Sequence, residues 1–450
     1  MYFKEQKFFV AGMSVSGESS ARFLLERGAE VYVYDDLVTD KISALNSELH
    51  ALGAHVVTPD KLESAVQECD ILVLSPGIPI DNSLPVAFRK LGKSIIGEEE
   101  LAANYLRATA VAVTGTNGKT TTVTMLNEVL TAAGKHSVAC GNNGNPLIRE
   151  VEALTFNDYA VLEISSFQLE TLTSLRPHIA VITNITEDHL NRHYNMENYV
   201  YLKAKILRNL RESEYAVLNY DDPTVRALAK NTKAKVVYFS MQSRVDGAYF
   251  ENGAVYFNGE KYFDLNDLTL GGVHNVYNAL ACVAAAGILK LDKIKASEAI
   301  CAFKGVKHRI EIIRTVNGVT YVDDSKGTNV DAALKAAQSM ACPTVMLLGG
   351  KDKGDDYVPL FEGLSSSPVV HAVIYGENRF KMLSAAIKAG FTGFSLCSEF
   401  KTAVKIAEFT AKPGQCVLLS PASSSFDGFL NFEERGDAFK ELVESINETE

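Results

Sequence analysis

Apolar runs rich in Val, Ile, Leu and Phe recur along the 450-residue chain, and helix-length stretches with one apolar face lie between them. That alternation predicts parallel strands covered by helices, an α/β fold. KFFVAGM (7–13), EVYVYDD (30–36), DILVLSPG (70–77) and SIIG (94–97) form a first set of strands, with a helix expected over 18–27. A second set opens after the helix-like EEELAANYL and holds TAVAVTG (109–115), HSVACG (136–141), YAVLEISS (159–166) and HIAVITNI (178–185), with helices over 120–133 and 275–289. VTYVDDS (319–325), TVMLLGG (344–350), HAVIYG (371–376) and QCVLLSP (415–421) make a third. Each set carries its own loop motifs, so three domains are expected, at 1–97, 98–305 and 306–450. The length allows that number of cores.

Charge and cysteine usage narrow the class. Forty-four basic against fifty-five acidic residues give a net charge of −11, which argues against a surface built for nucleic acid. The seven cysteines form no C-x-x-C pair and sit mostly in apolar runs, as expected of small buried hydrophobes in a reducing compartment. The start MYFKEQKFFVAG is a charged lead into a strand, not a signal peptide, and no apolar run approaches the roughly 18 residues of a membrane span. A cytoplasmic protein without membrane insertion is expected.

The densest chemistry is AVTGTNGKTTTV at 112–123. A phosphate loop of the pattern G-x-x-x-x-G-K-[ST] would need glycine at Val113. The context is nevertheless right: a strand runs into Gly115, Thr116, Asn117 and Gly118, then into a helix opening Lys119-Thr120-Thr121. Loop amides and a helix N-terminus would face one anion, Lys119 would meet the outer phosphates, and the Thr120 hydroxyl would ligate Mg²⁺. Glu163 at a strand end competes between solvated residue and Mg²⁺ ligand, and His189 between structural histidine and ligand. In the first block, Gly12-Met13-Ser14-Val15-Ser16-Gly17 precedes a helix and Asp35-Asp36 ends the next strand, close to a dinucleotide turn but with Ser14 at the middle glycine. Ser75-Pro76-Gly77 is a second turn at a strand end.

GTNGKTT, EISS and TEDHL followed by MENY-x-x-x-K resemble the Mur ligase superfamily of ATP-dependent amide-forming enzymes. HNVYNAL (274–280), KHRIE (307–311), DDSKGTN (323–329), GGKDKG (349–354) and SPASSSFDGFLNFEERG (420–436) extend the likeness over nearly the whole chain, closest to the branch that adds D-glutamate. The resemblance implies a Rossmann-like UDP-binding domain, a central P-loop ATPase domain with a mainly parallel sheet, and a C-terminal Rossmann-like domain that binds the amino acid. It implies contacts to the UDP-sugar from Val15, Ser16, Asp36, Ser75, Gly77 and Asn142. ATP would be met by residues 115–121, Asn278, Arg309 and Asp324, and D-glutamate by Lys326, Thr328, Lys353, Ser425 and Phe432.

Two Mg²⁺ ions are implied, with Thr120, Glu163, His189 and a carbamylated Lys203 around them. The spacing from Met196-Glu197-Asn198-Tyr199 favours Lys203, with Lys205 as the other register. The implied substrates are ATP, UDP-N-acetylmuramoyl-L-alanine and D-glutamate, and Lys119, His189 and Lys203 would be the catalytic set of a monomer. Closure of the third domain over the acyl phosphate is expected. A nicotinamide-dependent oxidoreductase leaves GTNGKTT unused, and a non-catalytic nucleotide switch leaves DDSKGTN and KHRIE unexplained.

Overall fold

A computed structural model describes residues 3–37, 39–352 and 354–448. The chain forms two compact units, Met1–Lys304 and Gly305–Glu450. Three sheets organise it.

The first unit begins with a five-stranded parallel sheet of β1 (Lys7–Ala11), β2 (Glu30–Tyr34), β3 (His55–Val56), β4 (Ile71–Leu74) and β5 (Ser94–Ile96), in the order β3-β2-β1-β4-β5. Strand β1 lies between β2 and β4, so the winding reverses there and a crevice opens at the carboxyl ends of the strands. Both turns singled out in the sequence follow those ends. They meet each other: Ser75 N donates to Ala11 O at 3.0 Å, and the Ser14 and Ser75 hydroxyls are 3.2 Å apart.

The second sheet holds β6 (Thr109–Thr114), β7 (Ser137–Gly141), β8 (Tyr159–Glu163), β9 (Ile179–Ile182), β10 (Tyr215–Asn219), β11 (Lys235–Ser240), β12 (Gly247–Glu251), β13 (Ala254–Phe257) and β14 (Glu260–Asp264). The order is β14-β13-β12-β11-β10-β9-β6-β8-β7, parallel except where β13 and β14 add an antiparallel ribbon. Its core is continuous with that of the first sheet: Phe8, Val31 and Val73 belong to the same buried cluster as Leu101, Ala112 and Leu162. Central β6 shows no side chain to solvent beyond Thr109, which is why TAVAVT reads as an unbroken apolar run.

The second unit is a six-stranded sheet of β15 (Glu311–Val316), β16 (Val319–Asp323), β17 (Thr344–Gly349), β18 (Val369–Tyr375), β19 (Phe394–Leu396) and β20 (Cys416–Leu419), ordered β15-β16-β20-β17-β18-β19. Only β15 runs antiparallel to its neighbour. Helices lie on both faces, and buried side chains form one core on each.

The helix Glu98–Ala103 follows the first sheet with three buried glutamates. Glu100 accepts from Thr173 N, Ser174 N and Thr173 Oγ1 at 2.6–2.8 Å, enough donors for a buried carboxylate. Glu98 accepts from Ile148 N, at 2.6 Å, and Glu99 from Gln168 Nε2. Among the described residues, neither buried Oε2 has a donor beyond the neighbouring carboxyl. Burial, and for Glu98 the adjoining Glu99, raise both carboxyls above the usual range, as expected of a pair that shares a proton.

An acid with a raised native pKa stabilises the fold below its unfolded pKa, and that contribution is lost as pH rises through the native one. Glu98→Gln removes the titration. Its melting temperature should therefore exceed that of the parent by an increment that grows from pH 5 to pH 8, reaching about 2–4 °C. Calorimetric melting at the two pH values checks this; a gap that shrinks with pH would contradict it.

Candidate functional site

The loop after β6 has a shape that only glycine permits at two places. Gly115 has φ +149°, and a Cβ there would lie 1.9 Å from Thr183 Oγ1; Gly118 has φ +82°, and a Cβ would lie 2.4 Å from Asn278 Oδ1. The intervening residues are tied to the segment after β9. Thr116 N donates to Asn184 O at 2.8 Å, Asn117 N to Asn184 Oδ1 at 2.9 Å, and Thr183 Oγ1 to Asn117 O at 2.6 Å. The helix Lys119–Ala132 starts at once, so its N-terminal amides and dipole serve the same space as the loop. Lys119 folds back, with Nζ 3.0 Å from Gly115 O and 2.9 Å from Thr116 O. Asn278, on the helix Val273–Ile288, accepts from Thr122 Oγ1 at 3.2 Å and packs against Gly118.

Beside the loop stand the candidate cation ligands. In the β6–β8 register Val113 pairs with Glu163, so Glu163 ends its strand next to the loop's entry. Its side chain is buried; Oε1 accepts from Asn142 Nδ2 at 3.0 Å, while Oε2 is buried with no hydrogen-bond donor among the described residues. A buried carboxylate oxygen left in that state suits a hard cation, and the buried Thr120 hydroxyl, at the start of the helix after the loop, is a matching neutral oxygen. The donor set present therefore fits Mg²⁺. Asn142, assigned to the sugar nucleotide by resemblance, here orients Glu163.

Lys203 is 1% exposed on the helix Met196–Ala204, with Nζ 2.7 Å from Gly115 O and 4.6 Å from the centre of the Tyr199 ring. Burial, then the charge of Lys119, lower its pKa to about 6. Lys205 turns elsewhere, to the carbonyls of Leu169 and Glu170. His189 adopts φ +53°, with Nε2 3.6 Å from Asp188 Oδ2 and its ring 4.9 Å from that of Phe167. His193, four residues on, is buried against Ser166 Oγ at 3.0 Å, and burial lowers its pKa to about 4, so it stays neutral.

In the first sheet Asp35 caps the Gly12 turn by accepting from Met13 N at 2.7 Å, and Asp36 accepts from the Tyr34 hydroxyl at 2.7 Å. Val15 and Ser16 open the helix Val15–Glu26, and Val15 is exposed. Ser75 and Gly77 lie on the neighbouring turn, where Arg192 from the central part of the unit reaches Gly77 O.

In the second unit the loops after β16 and β20, adjacent parallel strands, share one edge of the sheet. Asp324 is buried there, bonded to Ser420 Oγ at 2.6 Å; burial raises its pKa to about 7 against the opposing charge of Arg309. Arg309 lies between two residues with positive φ, His308 (+60°) and Ile310 (+47°). The His308 ring is held by Asp323, Nδ1 to Oδ2 at 2.7 Å, and that contact fixes the strained segment. Lys326 Nζ stands 5.8 Å from the centre of the Phe432 ring, Thr328 N donates to Lys326 O, and Ser425 is buried on the adjoining loop. Lys353 lies outside the described residues.

Two further arginines, one in each unit, organise loops of the candidate site. Arg435 is fully buried and donates to Ser325 Oγ and O and to Ser423 O, joining the 323–328 and 420–425 loops. Arg192 pairs with Glu170 through two hydrogen bonds of 2.9 and 2.6 Å.

Three family models match the chain: the Mur ligase MurD-like N-terminal domain over 6–97, the Mur ligase middle domain over 113–286 and the Mur ligase glutamate ligase domain over 308–423. The UDP-N-acetylmuramoylalanine–D-glutamate ligase of Caldanaerobacter subterraneus is 40% identical over 98% of this chain and 99% of its own. That of Geotalea uraniireducens is 40% identical over 98% of each, and that of Clostridioides difficile 37% identical over 99% of this chain and all of its own. Among solved structures, the UDP-N-acetylmuramate–alanine ligase of Thermotoga maritima superposes with a TM-score of 0.58 at 22% identity, covering 98% of this chain and 99% of that one. A MurF structure from Acinetobacter baumannii gives 0.54 at 20%, covering 85% and 87%; both likenesses concern the fold.

Proposed function

The chain belongs to the Mur ligase family, and from that premise we propose that it joins D-glutamate to UDP-N-acetylmuramoyl-L-alanine at the expense of ATP, a step of peptidoglycan precursor assembly in the cytoplasm. Full-length identity of 37–40% to ligases of that name supports the substrate pair. The observation that carries the chemistry is the phosphate loop with the unsatisfied Glu163 Oε2 beside it. Among the described residues no helix is long and apolar enough to cross a membrane.

Residues 1–97 form the sugar-nucleotide domain in this reading, using Val15, Ser16, Asp36, Ser75 and Gly77. Residues 98–305 form the ATP domain, with 115–121 and Asn278 on the nucleotide. Residues 306–450 form the amino-acid domain, with Lys326, Thr328, Lys353, Ser425 and Phe432 assigned to D-glutamate; Arg309 and Asp324 are assigned to the nucleotide.

A carboxylate is unreactive toward an amine because oxide is no leaving group. An oxygen of the alanyl carboxylate attacks the γ-phosphorus of ATP, ADP departs, and an acyl phosphate results. The D-glutamate amine adds to its carbonyl carbon, the amine proton is lost, and phosphate leaves as the amide forms. Phosphoryl transfer of this kind is governed by positioning and neutralisation of charge. Lys119 and the loop amides orient the phosphates and offset the charge gathering on them.

Thr120, Glu163, His189 and Lys203 would hold two Mg²⁺ ions, which supply further neutralisation when bound. Unmodified, Lys203 offers a hard cation only a neutral amine nitrogen; its carbamate would be an anionic oxygen donor. His189 faces two roles, ligand and proton acceptor, that one lone pair cannot fill together, and ligation takes precedence.

Phosphate release from ATP, with UDP-N-acetylmuramoyl-L-alanine present, should be fastest for D-glutamate across a panel of D- and L-amino acids. Preference for another amino acid would contradict the substrate assignment while leaving the ATP site in place.

A further inference from the structure

We infer that Arg192 is a positioning residue through which binding of the sugar nucleotide acts on the cation and ATP site. The inference rests on the reading of Ser75 and Gly77 as contacts to that substrate. It is carried by the way one guanidinium joins three parts of the first unit.

Arg192 is mostly buried, with a side-chain exposure of 12%, and every arm of its fork is engaged. Nε and Nη2 hold the two oxygens of Glu170 at 2.9 and 2.6 Å. Nη2 also reaches Ile78 O at 3.0 Å and Pro76 O at 3.4 Å, and Nη1 reaches Gly77 O at 3.4 Å. The guanidinium lies 4.9 Å from the centre of the Phe167 ring, which is itself 4.9 Å from that of His189. Three carbonyls of the Ser75 turn are thus gathered by a side chain that starts three residues after His189. Its carboxylate partner stands on the helix Ser166–Thr171, which follows Glu163 almost directly.

The segment that carries Arg192 has little conformation of its own. The one-turn helix Leu190–His193 is bracketed by His189 at φ +53° and Tyr194 at φ +69°, left-handed positions that a non-glycine residue keeps only when its surroundings impose them. The impositions come from both sides. Arg192 and the Tyr194 hydroxyl, which donates to Asp81, fix it to the 76–81 turn; His193, through Ser166 Oγ at 3.0 Å, fixes it to the helix beyond Glu163. Asn195 then caps the next helix through Asn198 N at 2.9 Å, and that helix carries Lys203. A ligand that orders the 75–78 turn therefore orders the only covalent stretch between His189 and Lys203. Lysine could not replace this arginine, since one ammonium cannot hold a carboxylate by two parallel bonds and span three carbonyls.

The test measures coupling, which a merely structural arginine would not control. A non-hydrolysable ATP analogue with Mg²⁺ is titrated calorimetrically into the full-length protein, with and without saturating UDP-N-acetylmuramoyl-L-alanine. In the parent, the sugar nucleotide should tighten analogue binding by about fivefold or more. In Arg192→Lys the ratio should fall toward one, with analogue affinity in the absence of the sugar nucleotide within about twofold of the parent. Glu170→Gln, which keeps the arginine but loosens its fork, should give an intermediate ratio and covers the case in which the arginine variant does not fold. A parent ratio of one, or a parental ratio kept in either folded variant, overturns the coupling. Failure of the parent to bind the sugar nucleotide at all would remove the functional reading beneath it.

Discussion

Replacing Lys203 with alanine is expected to lower ligase turnover by about 10²–10³-fold, the range seen when one preorganised charge-stabilising group is lost from an active site. Part of the activity should return with formate or acetate in the assay. Burial sets the chemistry: a lysine side chain that is 1% exposed, 2.7 Å from a loop carbonyl and near Lys119, is held as the neutral amine, with a pKa lowered to about 6. Above that pH the amine has a free lone pair, and addition of CO₂ gives a carbamate and one proton. The product is an anion where the unmodified residue would be neutral, and a small carboxylate diffusing into the cavity left by alanine supplies the same oxygens. Carbon-13 NMR after equilibration with labelled CO₂ should show a carbamate resonance that is missing from Lys203→Ala. Full activity in the alanine variant would take Lys203 out of the mechanism.

Glu163→Gln should reduce kcat by a similar 10²–10³-fold and raise the Mg²⁺ concentration needed for half-maximal rate by at least about tenfold. The substitution is nearly isosteric, and an amide oxygen can still accept from Asn142 Nδ2, now 3.0 Å from Oε1. What disappears is the charge at Oε2, the buried oxygen without a donor. Affinity for the sugar nucleotide should change little, which separates loss of a cation ligand from general damage. An unaltered Mg²⁺ dependence would return Glu163 to the status of a structural carboxylate.

The parts of this fold that were legible in the sequence are those where one physical signal dominates. The strand before the phosphate loop is apolar throughout because it is buried on both faces, and its glycines and lysine mark the turn and helix start. The helices expected over 18–27, 120–133 and 275–289 occupy Val15–Glu26, Lys119–Ala132 and Val273–Ile288. Strands β10 to β14 were not foreseen. The last of them, EKYFD, is mostly exposed and mixes lysine and glutamate with its aromatic residues, so neither an unbroken apolar run nor clean alternation identifies it.

Buried charge was the other blind spot. Arg435 stands in the NFEERG motif, and nothing local marks it as fully buried, because its partner Ser325 lies 110 residues away. The three glutamates of GEEEL fall in a helix-like stretch whose sequence gives no sign of burial. Only tertiary contacts show that the first two glutamates confront each other and that Arg192 closes three carbonyls onto Glu170. Sequence pattern reports local burial; a polar group satisfied across the chain leaves no local trace.

In the proposed reaction ATP is spent to activate the alanyl carboxylate. That is tested most directly by turnover of UDP-N-acetylmuramoyl-L-alanine carrying ¹⁸O in both oxygens of that carboxylate, in the presence of ATP, Mg²⁺ and D-glutamate. One labelled oxygen should appear in the inorganic phosphate and the other should remain in the new amide. Unlabelled phosphate, released with both labels still on the substrate, would mean that water receives the phosphoryl group and would contradict the proposed ligation.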